Sequence, residues 1–347
     1  MNRSVFGTAA AVVLWIAALV LVRKVKNQAR REAFEAYLFL APAGALLLVF
    51  WFFPVLFSIL VSFSDWAGAA KVSTVHWSGF ANYQRAWQDP QFRLTLFNTI
   101  NYVVYSVPLT MAAALGVALL LNSRIRLRSF FRTLYFLPFV TTWVAISIVF
   151  KYVFNEQFGL ANFLLEKSGL SPLRWLNEPR GVVELILQTG GVHLSAPLHP
   201  LLAGPSLAMF TVILTSIWRD TGYFMIIFLA GLQNIDRGYF EAASIDGAGP
   251  IQKFRHITWP LLSPTTFFVL IVSFIAAFKV FTPMYIMAPN GTPGGTTETL
   301  VSYLFKVGFS GSRELGYASA VAYILFIIIL ILSVLQNRIF GKSVQYG

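Results

Sequence analysis

Seven long apolar runs govern what this chain can fold into. They cover about 5–22, 37–62, 97–121, 133–154, 206–230, 264–287 and 316–336. Some 20 residues rising ~1.5 Å each cross a hydrocarbon layer of roughly 30 Å, so runs of this length read as spanning helices. The runs are continuous, not alternating, which argues against a membrane barrel. Composition agrees: 12% of the 347 residues are charged and 57% are hydrophobic, whereas a soluble domain is roughly 25% charged. The expectation is an all-α integral membrane bundle. The first run could instead be the apolar core of a signal peptide. Only Arg3 precedes it and the basic cluster follows it, so an uncleaved span is expected.

Lysine and arginine set the orientation. Arg23, Lys24, Lys26, Arg30 and Arg31, then Arg124, Arg126, Arg128 and Arg132, then Arg237, Lys253 and Arg255, then Arg338 and Lys342 fall in alternate segments between runs. These make fourteen; the longer segments 63–96, 155–205 and 288–315 hold eight. Excess basic charge marks the cytoplasmic side. The C-terminus and the segment 231–263 are therefore expected in the cytoplasm. The net charge of +12 sits at the ends of runs, where topology accounts for it, and no nucleic-acid partner is expected. The chain has no cysteine, which excludes disulfides, thiolate metal sites and a cysteine nucleophile.

Segment 231–263 contains a polar, helix-prone stretch, "EAASIDGAGPIQKFRHITWP". Asp236 suits a helix N-cap, Gly247 suits a left-handed stop, and Pro250 suits the first turn of a second helix. Phe240, Ala243, Ile251 and Phe254 give the pair an apolar side. The spacing allows an amphipathic connector lying on lipid, or a knob docking into a groove on a cytoplasmic partner.

The stretch resembles the EAA loop of permease subunits of ATP-binding-cassette importers. That pattern is Glu-Ala-Ala, a glycine shortly after, nine residues, then Ile-x-Leu-Pro. Here Glu241, Ala242, Ala243 and Gly247 are followed by nine residues and Ile257, Thr258, Trp259 and Pro260. Trp259 stands where leucine is usual. "FFRTLYFLPFV", "FLAGLQNID", "PGGTTETLVSYLF" and "GYASAVAYILF" are similar to the carbohydrate-uptake branch, in particular its maltose-permease-like first subunits. The resemblance covers roughly 30–340. The first run and residues 182–206 fall outside it; the latter could touch a binding protein or pack as a cap.

The resemblance implies a six-span permease domain over 36–347, with 1–35 an extra N-terminal span and basic cytoplasmic loop. It implies a bacterial cytoplasmic membrane, multi-pass, with a second homologous permease subunit, two copies of an ABC ATPase, an extracytoplasmic solute-binding protein and a sugar-type solute. It also implies that Glu241, Ala242, Ala243, Asp246, Gly247 and Gly249 engage the ATPase, Glu241 pairing with a basic group there. ATP and magnesium would be bound by that ATPase, with no cofactor in this chain. A glycerol phosphate ester as solute, a stand-alone secondary transporter and a membrane scaffold are the alternatives.

Ionisable groups at membrane depth are costly and become functional candidates by default. Arg219, Asp220 and Lys279 qualify, and the cations among them make an acidic solute, such as a uronate oligomer or a phosphate ester, one expectation. Neighbours in a helix point about 100° apart, so Arg219 and Asp220 are not expected to face each other simply; a structural pair of Asp220 with Lys279 is one reading, and a polar wall of the solute path is the other. Trp143, Tyr152, Tyr223, Tyr285 and Tyr317 are candidate path aromatics, since sugars stack on rings, although Trp and Tyr also anchor membrane interfaces. Pro108, Pro138 and Pro283 are expected to kink their helices. Lys151 is expected to snorkel.

No enzyme is legible. His76, His193, His199 and His256 are scattered, and HExxH and GxSxG are missing. "GKS" at 341–343 is no phosphate-binding loop, because Gln336 stands where its first glycine belongs.

Overall fold

The computed structural model describes residues 27–68, 75–123, 126–191, 200–310 and 313–340. The run at 5–22 and the residues Arg124 and Lys342 lie outside these. The chain forms two compact units, divided between Ser62 and Phe63.

The described part of the first unit is one helix, α1 (Gln28–Ser62). The Asn27 side chain caps it by accepting from the Arg30 N–H at 3.2 Å. A wider π-type turn at Leu48–Phe52 interrupts its regular winding. The expected domain boundary at 35/36 therefore falls inside a continuous helix. "QARREAFEAY" is helix-forming, and Arg31 and Glu35 pair at 2.9 Å across one turn.

The second unit is a helical bundle. Its elements are α2 (Ala81–Gln88), α3 (Pro90–Asn122), α4 (Arg128–Val140), α5 (Trp143–Val153), α6 (Leu207–Gln233), α7 (Arg237–Ile245) and α8, which opens at Pro250–Lys253. Further on come α9 (Ser263–Phe278), α10 (Thr282–Met287), α11 (Leu300–Phe305) and α12 (Leu315–Phe340). Among the described residues, β pairing is limited to isolated bridges such as Ser64 with Trp77 and Gly181 with Ser206.

The core centres on α3 and α6. Tyr102, Val103 and Val107 share one buried cluster with Met209, Val212 and Ile213. Ala114, Ala118 and Leu121 share another with Phe224, Phe228 and Leu232. Early residues meet early ones and late meet late, so α3 and α6 run parallel. Small alanines on α3 let α6 come close, the way helices associate where lipid removes the hydrophobic drive. The Tyr102 hydroxyl donates to Ser216 Oγ at 2.8 Å inside this contact. Gly222 fixes the approach of α4, because a Cβ there would sit 1.8 Å from the Tyr135 carbonyl oxygen.

Among the described residues, five helices are long and apolar enough to span: α1, α3, α6, Ser263–Met287 and Leu315–Ile339. The run at 133–154 differs from the single span expected. It is two helices, α4 and α5, bent by 97°. Thr141 is extended, and Thr142 caps the new helix through its hydroxyl. Pro138, lacking an N–H, weakens the last turn before the break. Of the other prolines, Pro108 lies within unbroken α3, and Pro283 opens α10 after the non-helical residues 279–281.

Candidate functional site

The loop after α6 is held by its own residues. Asp236 Oδ1 accepts the Gly238 N–H at 2.8 Å and starts α7. At its far end the Gly247 N–H reaches Ser244 O at 3.2 Å and the Ala248 N–H reaches Ala243 O at 2.8 Å. This paired closure needs a left-handed residue, and Gly247 supplies φ +75°. Gln252 Oε1 accepts the Gly249 N–H at 2.8 Å, capping α8. Lys253 Nζ donates to Ser244 Oγ at 2.6 Å, and that hydroxyl donates to Phe240 O at 2.6 Å. The helices are thus locked into a single knob. From Phe254 to Thr258 α8 winds as a π-type turn and continues through Trp259–Leu261 towards α9.

The knob presents both charge and grease. Glu241, Ala242, Asp246 and Gly247 are exposed, and Ala243 and Gly249 partly so. The Glu241 carboxylate makes no hydrogen bond or ion pair among the described residues. Ile245 is 87% and Ile251 82% exposed. Phe240 and Phe254 are half-buried. Sequence spacing did not single out Ile245, although it directly precedes the Asp-Gly stop and so lies at the tip.

A second feature is a cavity of about 390 Å³ between α3, α4, α5, α6 and the α9–α10 break. It brings together Trp143, Arg219, Asp220, Tyr223 and Lys279. Arg219 Nη1 donates to Asp220 Oδ1 at 2.6 Å, and Nη2 donates to Phe139 O at 3.2 Å. Its guanidinium lies 4.8 Å from the Phe139 ring centre and 4.2 Å from that of Trp143. The long arginine arm overcomes the 100° offset between sequence neighbours, so the two do pair, contrary to expectation. Asp220 takes Arg219 rather than Lys279 as its partner. The Phe139 carbonyl is free for Arg219 because α4 ends at Val140. Tyr223 stacks on Phe139 at 4.4 Å between centroids. Lys279 follows the last residue of α9, where the helix dipole favours a cation.

The lining also includes Tyr102, Ser106 and Thr110 of α3 and Ser216 of α6, which the sequence reading had not named. Their signal was present: Tyr102, Ser106 and Thr110 recur every fourth residue of an apolar helix, one polar stripe. The cavity joins hydroxyl donors and acceptors to flat aromatic faces.

Three candidate aromatics lie elsewhere. Tyr152 is 63% exposed beside Phe158. Tyr285 packs on Phe281 and Phe305 and borders a different cavity, with Glu298 and Lys306. Tyr317 is 1% exposed and belongs to a cluster around Asp89. Lys151 is exposed in the last turn of α5.

The Asp89 cluster fastens distant segments. Asp89 Oδ1 caps α3 by accepting the Gln91 N–H at 2.9 Å. Oδ2 accepts the Tyr317 hydroxyl at 2.8 Å and also the Tyr303 hydroxyl. Arg85 lies 4.1 Å from the Tyr317 ring centre and pairs with Glu314. Burial works to raise the Asp89 carboxyl; the two tyrosine hydroxyls and the N–H groups of Gln91 and Phe92 outweigh it and hold the group below its ordinary value. In segment 182–206 the described residues include a helix, Val182–Thr189, and a single helical turn, Pro200–Ala203. The Val182 N–H bonds Pro205 O and the Leu207 N–H bonds Arg180 O, each at 3.0 Å, which pins the segment's ends together just before α6.

Known proteins share this architecture. Residues 106–345 match the family model described as binding-protein-dependent transport system inner membrane component. The chain is 34% identical over 308 residues to the arabinooligosaccharides transport system permease protein AraP of Bacillus subtilis (strain 168), covering 88% of each. It is 35% identical over 306 residues to the lactose transport system permease protein LacF of Rhizobium radiobacter, covering 87% of this chain and 92% of that one. In a crystal structure of a bacterial alginate ABC transporter in complex with an alginate pentasaccharide-bound periplasmic protein, one chain has the same fold. Its TM-score is 0.72 at 20% identity, with 91% of this chain and 97% of that one covered. The family match contains both the knob and most of the cavity wall. This chain therefore belongs to the binding-protein-dependent transport system inner membrane components, as a multi-pass permease subunit.

Proposed function

We propose that the chain conducts a sugar or oligosaccharide across the cytoplasmic membrane of a bacterium and couples that movement to ATP hydrolysis by a separate subunit. Relatives named for arabinooligosaccharides and lactose support the solute class. The family is one of permease subunits, not of enzymes. ATP and magnesium belong to two copies of an ABC ATPase. A second, homologous permease and an extracytoplasmic solute-binding protein complete the assembly. The alternative solute is a glycerol phosphate ester. An additional N-terminal span and basic loop precede the permease body, which opens with α1 at Gln28. The C-terminus and the knob face the cytoplasm.

One observation carries this reading: the knob is rigid, yet its tip offers Ile245, Ile251 and an unpaired Glu241 to the outside. Apolar side chains on a locked protrusion fit a cleft in a partner protein. Glu241, Ala242, Ala243, Asp246, Gly247 and Gly249 form the contact, Glu241 meeting a basic group. When the ATPase pair closes, the knob carries the spans with it and the path changes sides. Trp143, Arg219, Asp220, Tyr223 and Lys279 line that path; Tyr152, Tyr285 and Tyr317 do not border its cavity and act elsewhere.

The test is the reconstituted complex, with its binding protein, given a panel of neutral and acidic sugars. Stimulated ATPase and uptake are expected from a member of the panel. A cysteine placed at Ala242 in this cysteine-free chain is expected to cross-link to the ATPase. Uptake by this chain alone, or cross-linking to lipid only, overturns the reading.

A further inference from the structure

The cavity that is proposed to carry the solute has a charge imbalance. Its ionisable lining groups, apart from the tyrosines Tyr102 and Tyr223, are Arg219, Asp220 and Lys279. Arg219 and Asp220 neutralise each other at 2.6 Å, and Arg219 is further tied to a carbonyl and two rings. Arg219 Nε nonetheless remains buried without an acceptor. Lys279 makes no hydrogen bond or ion pair among the described residues and is exposed within the second unit. It stands at the break between α9 and α10, where the backbone leaves its helix and directs the following residues, Val280 to Pro283, into the same lining. The wall thus offers one uncompensated cation, hydroxyls and stacked rings, and no acidic group to spare.

We propose that Lys279 makes this path selective for carbohydrate bearing an oxyanion, such as a uronate. This rests on the cavity being the solute path. An uncompensated ammonium at membrane depth is costly. The α9 dipole offsets part of that cost. A passing carboxylate offsets the rest, while the ring faces of Trp143 and Tyr223 hold the apolar side of the sugar. A neutral sugar gains the rings and hydroxyls but leaves the ammonium unpaired. The selectivity is therefore electrostatic, and it raises the local concentration of anions over cations.

The absence of native cysteine permits a direct test. Thr282, on the cavity wall beside Lys279, is changed to cysteine in the full assembled complex. Its labelling is followed by mass spectrometry of this chain with two probes of similar size, an anionic sulfonatoethyl and a cationic trimethylammonioethyl methanethiosulfonate. After correction for a free thiol, the anion is expected to react on the order of tenfold faster than the cation. Lys279→Met is expected to bring the ratio to about one, and Lys279→Glu to invert it. Equal rates with Lys279 present overturn the proposal, because an acid from a neighbouring subunit would then neutralise it. A preference that survives Lys279→Met overturns it too, since the field would come from elsewhere. Labelling by neither probe in any state of the transport cycle instead overturns the cavity as a path. Stimulation of the complex by a neutral sugar, unchanged in Lys279→Met, overturns the selectivity while leaving the path intact.

Discussion

The knob at 236–261 and the cluster around Asp89 sit at opposite ends of the parallel pair α3 and α6, and they hold together by opposite means. Asp89 caps the start of α3; the knob follows the end of α6. Within the knob the longest side-chain tie, Lys253 to Ser244, spans 9 residues. Around Asp89 the ties from Tyr303, Tyr317 and Arg85 span 214, 228 and 229 residues. The knob buries almost none of its tip, so its shape must come from caps and a glycine. The Asp89 cluster buries Tyr317 and Tyr303 almost completely, so its geometry comes from packing. On the proposed function, one device meets another molecule, while the other fastens this molecule to itself. Substitutions should therefore separate: knob variants lose coupling and keep stability, whereas cluster variants do the reverse.

The largest separation is expected from Gly247→Pro. Proline cannot take φ +75°, and it removes the N–H that bonds Ser244 O. The cost to the docked shape is about 3 kcal/mol, which is on the order of a hundredfold in a docking equilibrium. Solute uptake should fall by that order, while membrane insertion and thermal stability of the detergent-purified chain stay near wild type. A comparable fall in thermal stability breaks the comparison, because it would make the knob part of the folded core.

Next is Asp89→Ala. It leaves two buried tyrosine hydroxyls without their acceptor and uncaps α3, together about 2 kcal/mol of stability. Chemical unfolding of the purified chain measures this. Acid offers a second view of the same group. Its carboxyl is held below the ordinary 3.8. A depressed value contributes stability that is fully present above the unfolded-state value and is lost as pH falls through the folded one. The wild-type chain should thus be insensitive to pH between 5 and 8 on this account and weaken below about pH 4. Asp89→Ala should lack that acid step. An unchanged acid step in the variant assigns it to another carboxylate.

The same contrast explains what could be read from the residues. Asp236, Gly247 and Pro250 each act on their immediate neighbours, so the helix–turn–helix of the knob was legible in full. So were the spans α3 and α6 and the broad class, because apolar length alone specifies them. The 97° break at Thr141 and Thr142 was not. It lies inside a run long enough to read as one span, and it is stabilised by Arg219 reaching in from another helix. Arg219, Asp220 and Lys279 were found by their cost in lipid, but their pairing was misjudged, because side-chain reach is invisible in helical angles. Tyr317 was chosen for its chemistry, and packing put it on Asp89 instead. Asp89 was not singled out by the sequence, since its partners lie more than 200 positions away.

A smaller effect sharpens the knob side. Ile245 is 87% exposed, so Ile245→Ser should alter stability of the isolated chain by no more than about 0.5 kcal/mol. If the tip is buried in a cleft, most of an isoleucine's burial energy is lost there, about 1.5 kcal/mol, or roughly tenfold in affinity for the ATPase. Measured affinity of the purified ATPase for the permease pair in nanodiscs checks this. An unchanged affinity moves the contact away from the tip and onto the Glu241 face.

The smallest effect is expected from Arg85→Gln, and it tests how far the Asp89 cluster extends. Arg85 meets Glu314 and the Tyr317 ring, but its own side chain is 52% exposed. An exposed ion pair contributes 0 to about 1 kcal/mol, and an exposed cation over a ring about 0.5 to 1 kcal/mol. The loss should be about 1 kcal/mol and should shrink in salt, because salt screens the exposed pair. Glu314→Gln should cost less than Arg85→Gln, since it removes the pair and leaves the guanidinium on the ring. If Arg85→Gln instead costs as much as Asp89→Ala, the arginine is holding Tyr317 in place for Asp89. The boundary between the fastened core and its exposed rim would then lie one residue further out.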